Sequence, residues 1–359
     1  MARDVAIVGA GIVGLSIAHR AAREGMSVAV YDRDPAAAAS TVAAGMLAPV
    51  TEAEFGNPEL LELGLAAAER WPAFAAELGV ELRTTGTLLV ARDRDEAEAL
   101  EREHAFRERL GLRVERLRPT AARRLEPALA PTIRLALHAP DDHAVDPRAV
   151  LAALADGACQ AGAEIHTGVE VGRDQAGELV VGGDAGGGER SRGEAGELVV
   201  AGRPVEATTV VIAAGAWSAA LADVPVRPVK GQILRLRDPA GPGLLDRVLR
   251  FEGGYLVPRG DGRYVLGATV EERGFDTAVT AGGIYELLRD ATELVPGISE
   301  LEIEELTAGL RPGTPGNVPI VRREGRVVIA TGHFRNGILL APLTAEHAVA
   351  TIAREAVRA

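Results

Sequence analysis

The residues with the clearest chemical use are three glycines and one aspartate near the N-terminus. Gly9, Gly11 and Gly14 follow a short apolar run, and Asp32 ends the next one. Such glycines allow a tight turn, let the backbone approach a pyrophosphate, and let helix and strand pack closely. The helix N-terminus stabilises phosphate charge, and a carboxylate accepts from ribose hydroxyls. The spacing predicts a dinucleotide site for FAD or NAD rather than NADP; a structural glycine turn and a solvated carboxylate are the alternatives.

Two arginines and a tyrosine are candidates for binding an anionic substrate. Arg311 lies in the segment AGLRPGTPG at 308–316, and Arg335 lies in a glycine turn near the C-terminus. A guanidinium in such a place can bind a carboxylate or phosphate with two parallel hydrogen bonds. A salt bridge that holds a loop is the alternative for both arginines. Tyr255, by itself, is typical of a core residue.

The remaining reactive side chains show little organisation. The seven histidines have no close metal-ligand spacing, so no metal site is predicted. His138 and His143 flank the acidic pair at 141–142, which could bind a cation, although a surface loop explains the pattern better. His333 could contact a cofactor or make a hydrogen bond at a strand end. Cys159 has no basic neighbour or glycine turn to activate it.

The elements that must position these residues follow from apolar runs and caps. The N-terminal pattern predicts a strand at 5–8, a helix through Arg23 and a strand at 27–31. Asp146 and Pro147 predict a helix start, with the helix ending near Gly162. Further strands are predicted at 163–171 and 210–214, and between them lies a glycine-rich hairpin at 172–203 that contains AGELVV twice. These elements are typical of a Rossmann-like α/β domain.

The later part of the chain has a different pattern. Short alternating strands are predicted at 229–236, 254–258 and 264–268, followed by a helix at 284–294. A buried strand at 327–330 then leads through the turn GHFRNG, at 332–337, into a helix that runs to the C-terminus. We therefore predict an α/β and α+β protein. Its nucleotide-binding domain, formed by 1–80, 141–220 and 325–359, is interleaved with an antiparallel-sheet substrate domain at 81–140 and 221–324.

The composition limits the possible partners. The chain has 359 residues, 47% of them hydrophobic and 25% charged, which is typical of a globular protein. The net charge of −12 argues against binding to nucleic acid or to an anionic membrane surface. The single cysteine excludes an intramolecular disulfide and fits a reducing cytoplasm. We find no signal peptide or membrane-spanning run, and Lys230 is the only lysine.

Six blocks in order along the chain carry a family resemblance. They are the run 5–32, STVAAGMLAP at 40–49, PVKGQ at 228–232, GGYLVPR at 253–259, AGLRPGT at 308–314 and GHFRNGILLAP at 332–342. Together they resemble the D-amino acid oxidase superfamily, and within it the glycine oxidases of thiamine biosynthesis. The resemblance covers most of the chain apart from 172–203.

The resemblance implies a non-covalently bound FAD and a small amino acid substrate. The implied FAD-binding residues are Gly9, Gly11, Ile12, Val13, Gly14, Asp32, Arg33, Ser40, Ala44, Gly45, Met46, Val169, His333, Phe334, Arg335, Asn336, Gly337, Ile338 and Leu339. Arg311 matches the carboxylate-binding arginine of the family, Tyr255 the tyrosine that hydrogen-bonds the same carboxylate, and Arg335 a further substrate contact. Cys159 lies in the wrong block to hold a covalent flavin.

Two positions depart from the glycine oxidase pattern and bear on substrate size. Val270 replaces a methionine near the pocket, and Gly253 replaces a histidine just before Tyr255. Both changes enlarge the local space. Since one or two methylenes change discrimination by only about 1–3 kcal/mol, we expect sarcosine or small D-amino acids to be accepted beside glycine.

The implied reaction is hydride transfer from the substrate Cα to flavin N5. The products are an imine, then glyoxylate and ammonia, with hydrogen peroxide from molecular oxygen, and the imine could serve thiazole synthesis. Two enzyme alternatives are a D-amino acid dehydrogenase and an amine oxidase of the sarcosine oxidase type. An NAD-dependent dehydrogenase and a non-catalytic flavin sensor are further alternatives. Family habit also predicts a homo-oligomer.

Overall fold

The protein consists of two large sheets and a smaller one, with helices packed around them. The structure is a computed structural model that describes residues 3–174, 178–182, 190–192, 198–200, 202–239, 241 and 243–356. The strands are β1 Arg3–Val8, β2 Val28–Asp32, β3 Met46–Leu47, β4 Thr87–Ala91, β5 Glu115–Leu117, β6 Leu135–Ala139, β7 His143–Ala144, β8 Glu164–Thr167, β9 Val171–Arg173, β10 Leu179–Gly182, β11 Arg190–Arg192, β12 Leu198–Val200, β13 Gly202–Pro204, β14 Ala207–Ile212, β15 Arg227–Arg237, β16 Val248–Phe251, β17 Gly254–Pro258, β18 Arg263–Gly267, β19 Glu302–Gly313, β20 Ile320–Glu324 and β21 Val327–Thr331. The α-helices are α1 Ile12–Arg23, α2 Ala39–Val42, α3 Pro58–Ala68, α4 Trp71–Leu78, α5 Arg94–Arg109, α6 Pro119–Leu125, α7 Pro147–Gln160, α8 Ala281–Leu294 and α9 Gly337–Ala356.

The first sheet is built around the N-terminal strand. Its order is β20-β21-β14-β1-β2-β8, and every pair is parallel except β20 with β21. Buried residues of α1 such as Ile17 and Ala18 pack this helix against α7 and α9. Asp146 caps α7, accepting from the backbone N–H of Arg148 at 3.0 Å. Parallel neighbours in a sheet are joined by crossover connections, usually helices, and α1 joins β1 to β2 in this way. The predicted Rossmann-like unit is confirmed.

The second large sheet is almost entirely antiparallel. Its order is β19-β15-β18-β17-β16-β4-β6-β5, and the parallel pair is β16 with β4. Leu234, Leu256 and Leu266 on its strands pack with Leu287 and Leu294 of α8. The predicted α8 and the strand 254–258 are therefore present as expected. Residues 87–139 supply three strands that extend the sheet formed by 227–313.

One predicted strand is broken in the structure. Instead of a continuous strand at 163–171, β8 ends before Gly168, whose φ of +73° turns the chain, and β9 starts a new sheet. In that five-stranded sheet, β10 and β12 lie on either side of β9. Each of these two strands contains the LVV of one AGELVV repeat. The single hairpin predicted at 172–203 is therefore wrong, because the described residues of this region form the strands β9 to β13 of one sheet; residues 175–177, 183–189, 193–197 and 201 lie outside the described residues.

The two large sheets alternate along the chain in the manner of interleaved domains. The domain boundaries themselves stay a prediction; β20 lies in the six-stranded sheet although it precedes residue 325. Across the described ranges, no helix has the length and apolar character that crossing a membrane would require.

Candidate active site

A cavity of about 420 Å³ runs from the carboxyl ends of β1, β2 and β14 to the second large sheet. At its first end the glycine turn has the geometry that its sequence predicts. Gly9 has a φ of +108°, and a Cβ there would overlap the backbone of Ala213. A Cβ at Gly14 would overlap the carbonyl of Gly9. These two glycines are required for packing.

Gly11 has a different reason to be glycine. A Cβ at this position would meet only Ser40 Oγ, at 3.6 Å, and Ala38 Cβ, at 3.8 Å. Packing inside the protein would therefore tolerate a side chain at Gly11, but that side chain would narrow the cavity in front of the backbone. Because Gly11 has none, its backbone is open to close approach by a pyrophosphate. Ser40 Oγ accepts from Ile12 N at 3.2 Å, at the start of α1.

Asp32 lies at the end of β2 and lines the same end of the cavity. Its Oδ2 accepts from the backbone N–H of Ala10 at 2.6 Å, and its Oδ1 accepts from that of Asp34 at 2.7 Å. These bonds fix the carboxylate beside the glycine turn. Val169 donates its N–H to the Asp32 carbonyl at 3.1 Å and also lines the cavity.

Arg33 continues the wall of the cavity beyond Asp32. Its Nη1 lies 3.2 Å from Oε1 of Glu170, and its guanidinium lies 5.5 Å from the ring centroid of Trp217. Trp217 lines the cavity and follows the end of β14. Trp217 is not among the residues predicted from the sequence, although its place in the segment that follows a buried strand is typical of a ligand-binding position.

The turn before α9 forms another wall. His333 is buried and its Nε2 lies 2.9 Å from Thr344 Oγ1, so the ring makes a hydrogen bond inside the protein. Burial lowers the pKa of His333 to about 4, which keeps the ring neutral near pH 7. Phe334 has a φ of +47° and donates its N–H to Pro312 at 3.0 Å. Arg335 is exposed, with its guanidinium 5.4 Å from the Phe334 ring centroid.

Tyr255 and Arg311 lie together at the far end of the cavity. Arg311 Nη1 donates to the carbonyls of Lys230, at 3.3 Å, and Thr269, at 3.1 Å. Its guanidinium lies so close to Gly231 that a Cβ there would overlap it. Burial lowers the pKa of Arg311 and raises that of Tyr255, and the interaction between the two side chains partly offsets both shifts. The pair offers a rigid cation and a phenol to one anion.

A second charged pair in this part of the cavity was missed by the sequence analysis. Glu52 Oε1 lies 3.0 Å from Arg250 Nη2, and both residues line the cavity. Arg250 is the register partner of Tyr255 across β16 and β17, so the two residues are neighbours. Its Nη1 is buried and has no hydrogen-bond partner among the described residues. Strand alternation could have selected Arg250, but no sequence signal identifies Glu52.

The turn that carries Glu52 is braced from both sides. Asp142 accepts from the backbone N–H groups of Val50 and Thr51, each at 3.0 Å. Arg107 donates to the carbonyls of the same two residues, each at 2.9 Å. Asp142 therefore holds this turn and is not a cation ligand; the surface-loop interpretation of 141–142 is right for the exposed Asp141 and wrong for Asp142, which is fully buried. The described part of the chain has no cluster of metal-binding side chains.

The structure brings nearly all of the predicted site residues to one cavity. Those that line it are Gly9, Gly11, Ile12, Val13, Asp32, Arg33, Ser40, Ala44, Gly45, Met46, Val169, Tyr255, Arg311, His333, Phe334, Arg335, Asn336, Gly337 and Ile338. Gly14 and Leu339 do not line it; Gly14 packs behind the turn, and the Leu339 carbonyl accepts from Trp71 Nε1 at 2.8 Å. Cys159 is exposed on α7, away from the cavity.

Comparison with known proteins gives a family for this arrangement. The family described as FAD dependent oxidoreductase (DAO) matches residues 4–351. Glycine oxidase from Geobacillus kaustophilus is 35% identical over 361 residues, covering 95% of this chain and 90% of that protein. A protein from Rhizobium etli named "Putative thiamine biosynthesis oxidoreductase ThiO" is 33% identical, covering 95% of this chain and 94% of its own length.

Solved structures agree with these relatives. The crystal structure of the Geobacillus kaustophilus glycine oxidase has a TM-score of 0.86 and 34% identity, covering 98% of this chain and 95% of that one. Iminodiacetate oxidase from Chelativorans sp. BNC1 has a TM-score of 0.84 and 28% identity, covering 98% of this chain and 95% of that one. The predicted fold class and family are thereby confirmed.

Proposed function

This chain belongs to the DAO family of FAD dependent oxidoreductases, and we propose that it oxidises glycine and other small amines at the cavity described above. It is an FAD-dependent amino acid oxidase, as its glycine oxidase relatives indicate. The observation that carries the choice of substrate is the half-buried Tyr255–Arg311 pair at the end of a cavity that starts at a dinucleotide-binding turn.

The residues present fit FAD. Gly11 leaves backbone open to a pyrophosphate, and the N-terminus of α1 faces the same space. Asp32 is positioned to accept from ribose hydroxyls, and the turn at 333–337 begins α9 beside the cavity. Bound FAD would supply the acceptor for the hydride that leaves the substrate Cα.

The protein's own contribution is orientation. With Nη1 of Arg311 fixed by two carbonyls, the guanidinium keeps one orientation, and its other N–H groups can pair with a substrate carboxylate. Tyr255 donates its phenol proton to the same carboxylate, because burial raises its pKa and keeps it neutral. A small amino acid held by its carboxylate has few accessible orientations, so its Cα–H bond points in one direction.

The test of this function is Arg311→Ala, with the exposed Arg263→Ala as its matched control. We expect the variant to raise the KM for glycine at least about a hundredfold, because a charged hydrogen bond pair to the carboxylate is lost. Bound FAD, followed by its visible spectrum, should stay unchanged in both variants. Wild-type flavin that glycine cannot reduce without oxygen, or unchanged kinetics in Arg311→Ala, would contradict the proposal.

A second substrate class is favoured by Arg250. Arg250 lines the cavity as the cross-strand partner of Tyr255, its Nη1 has no hydrogen-bond partner among the described residues, and neither Gly253 nor Val270 fills the space with a large side chain. An amine with a second carboxylate, such as iminodiacetate, would meet a second guanidinium there. We expect Arg250→Met to lower kcat/KM for iminodiacetate more than for glycine. Equal losses for both substrates would show that Arg250 has no role in selecting between them. Sarcosine and D-alanine, which carry one carboxylate each, serve as further comparisons.

The physiological setting is part of the same proposal. The protein would pass electrons to molecular oxygen, release hydrogen peroxide and supply the imine for thiazole formation in thiamine synthesis, in the cytoplasm and as a homo-oligomer. The thiamine role is supported by the name of the Rhizobium etli relative. A D-amino acid dehydrogenase would instead turn over with an artificial dye and yield little peroxide.

A further inference from the structure

The only lysine of the chain has a role that the proposed function does not use. Lys230 lies on β15 with 1% of its side chain exposed. A buried ammonium needs paired carboxylates to offset its lost hydration. Its partners both belong to one segment, residues 269–280, which connects β18 to α8 and is called the strap below.

Lys230 fastens the strap by backbone and side chain. Its Nζ lies 3.2 Å from Asp276 Oδ2 and 3.7 Å from Glu271 Oε2. Its N–H donates to the Glu271 carbonyl at 2.9 Å, and Glu271 N–H donates back to the Lys230 carbonyl at 3.0 Å. The strap is therefore attached to β15 both at its start and near its middle.

Gln232, two residues further along β15, holds the ends of the strap. It is fully buried, and its N–H donates to Thr269 Oγ1 at 2.9 Å. Its Nε2 donates to Glu271 Oε1 at 2.7 Å, and its Oε1 accepts from the N–H of Thr280 at 2.7 Å. Glu271 also accepts from Thr269 Oγ1 at 2.6 Å, so the ion pairs of Lys230 and the hydrogen bonds of Gln232 hold the strap together, with a further surface ion pair from Arg227 to Glu272 at 3.1 Å.

The strap touches both halves of the site. At its start, the Thr269 carbonyl joins that of Lys230 in holding Arg311 Nη1. At its middle, the Phe275 ring lies 5.8 Å from the ring of Trp217, which lines the nucleotide end of the cavity. Phe275 is 48% exposed, so its position depends on the strap rather than on a surrounding core.

We propose that Lys230 is a positioning residue that, through the strap, holds Arg311 in its binding orientation and closes Phe275 over Trp217 to retain the cofactor. The Arg311 half of this inference rests on the proposed function, whereas the cofactor half rests only on FAD binding. Releasing one ion pair should then loosen both ends of the site together.

The test is Asp276→Asn in the holoenzyme, with Asp261→Asn as its control. Both carboxylates are about half exposed, lie in loops and pair with a cation. Each also accepts from the backbone N–H two residues later, so asparagine preserves the turn in both. FAD release after dilution is followed by the rise in flavin fluorescence, and KM and kcat for glycine are measured separately.

We expect Asp276→Asn to speed FAD release and raise KM, each by about tenfold, with kcat changed less than about twofold; this is the size expected for one charged hydrogen bond. The Asp261→Asn control should match the wild type within about twofold. Lys230→Met, a second release of the same pair, should reproduce the pattern. Values for Asp276→Asn equal to those of the control would overturn the proposal, and so would a change in only one of the two measurements.

Phe275→Ala separates the two ends of the strap. It removes only the contact with Trp217, so FAD release should accelerate while KM stays within about twofold of the wild type. Tyr285→Ala, which removes another exposed aromatic ring, is the control and should change neither value. Unchanged FAD release in Phe275→Ala would overturn the closure. Failure of glycine to reduce wild-type flavin would overturn the proposed function instead, since FAD release is measured without substrate.

Discussion

At the scale of single residues, the substrate end of the site depends on two glycines that let functional groups lie against backbone. The guanidinium of Arg311 occupies the place that a side chain at Gly231 would need. Likewise, a Cβ at Gly267 would lie 2.7 Å from Tyr255 Oη. Neither glycine has a positive φ, so the requirement is for space rather than for backbone conformation. The two side chains that we propose to bind the substrate carboxylate thus fit in place because Gly231 and Gly267 have no side chains.

Gly231→Ala tests this requirement. The added methyl group should push the Arg311 guanidinium away from its carbonyl partners, raising the KM for glycine about tenfold or more, the size expected when one charge-assisted contact is lost. Steady-state kinetics and the visible flavin spectrum provide the measurement. Gly282→Ala, at a position with open space around it, is the matched control and should leave both unchanged. A Gly231→Ala enzyme with the wild-type KM would show that Arg311 tolerates displacement.

At the scale of elements, the turn at 50–52 shows how a loop becomes part of a rigid site. The backbone N–H groups of Val50 and Thr51 donate to Asp142, and their carbonyls accept from Arg107 of α5. Both side chains are buried. Two charges on opposite sides of one turn fix its backbone, and the turn presents Glu52 to Arg250.

The buried Asp142 predicts that the free energy of unfolding depends on pH. Burial raises the pKa of Asp142 to about 6 from 3.8, outweighing three hydrogen bonds that oppose the rise. Because the folded pKa is the higher one, Asp142 contributes stability that is complete below about pH 4 and is lost as pH rises through about 6. The contribution is roughly 3 kcal/mol.

Urea denaturation of the wild type and of Asp142→Asn, each at pH 4.5 and at pH 7.5, measures this contribution. We expect the difference in unfolding free energy, wild type minus variant, to be larger at pH 4.5 by roughly 2 kcal/mol. Other titrating groups, including Glu126, are present in both proteins and cancel. Parallel pH dependences for the two proteins would show that the Asp142 pKa is not raised.

At the scale of the whole molecule, the cavity joins the two large sheets. Its lining begins at Val8, at the end of β1, and includes Tyr255 and Arg311 of the second sheet and Ile338 of α9. A ligand that fills it therefore contacts parts of the protein from both ends of the chain. Binding to the folded state alone stabilises that state by mass action.

Removal of FAD should lower the melting temperature, and adding it back should restore it. At a free concentration one hundred times Kd, FAD stabilises by about 2.7 kcal/mol. FMN is the control, since it lacks the adenosine half that Asp32 and the glycine turn are placed to bind, and we expect a much smaller increase. Thermal melts followed by circular dichroism provide the measurement. Equal stabilisation by FAD and FMN would mean that the glycine turn does not bind the nucleotide half.

The sequence by itself determined the local units and the family. The strand–glycine turn–helix start, the capped α7, the strand 254–258 and α8 follow from periodicity and turn chemistry, which act over a few residues. The blocks around Arg311 and Arg335 carried the resemblance that the family match confirms. The roles of the individual site residues stay predictions, although the structure brings nearly all of them to one cavity.

Only the tertiary structure decided which distant side chains meet. Glu52 and Arg250 are paired by the position of a loop against β16, and Lys230 meets Asp276 because the strap folds back over β15. Gly231 matters because β15 and β19 pair in the register that lays Arg311 across it. Such contacts depend on strand order and register between residues far apart in the chain. Local patterns of hydrophobicity do not encode them, so the charged partners of the site became visible only in the fold.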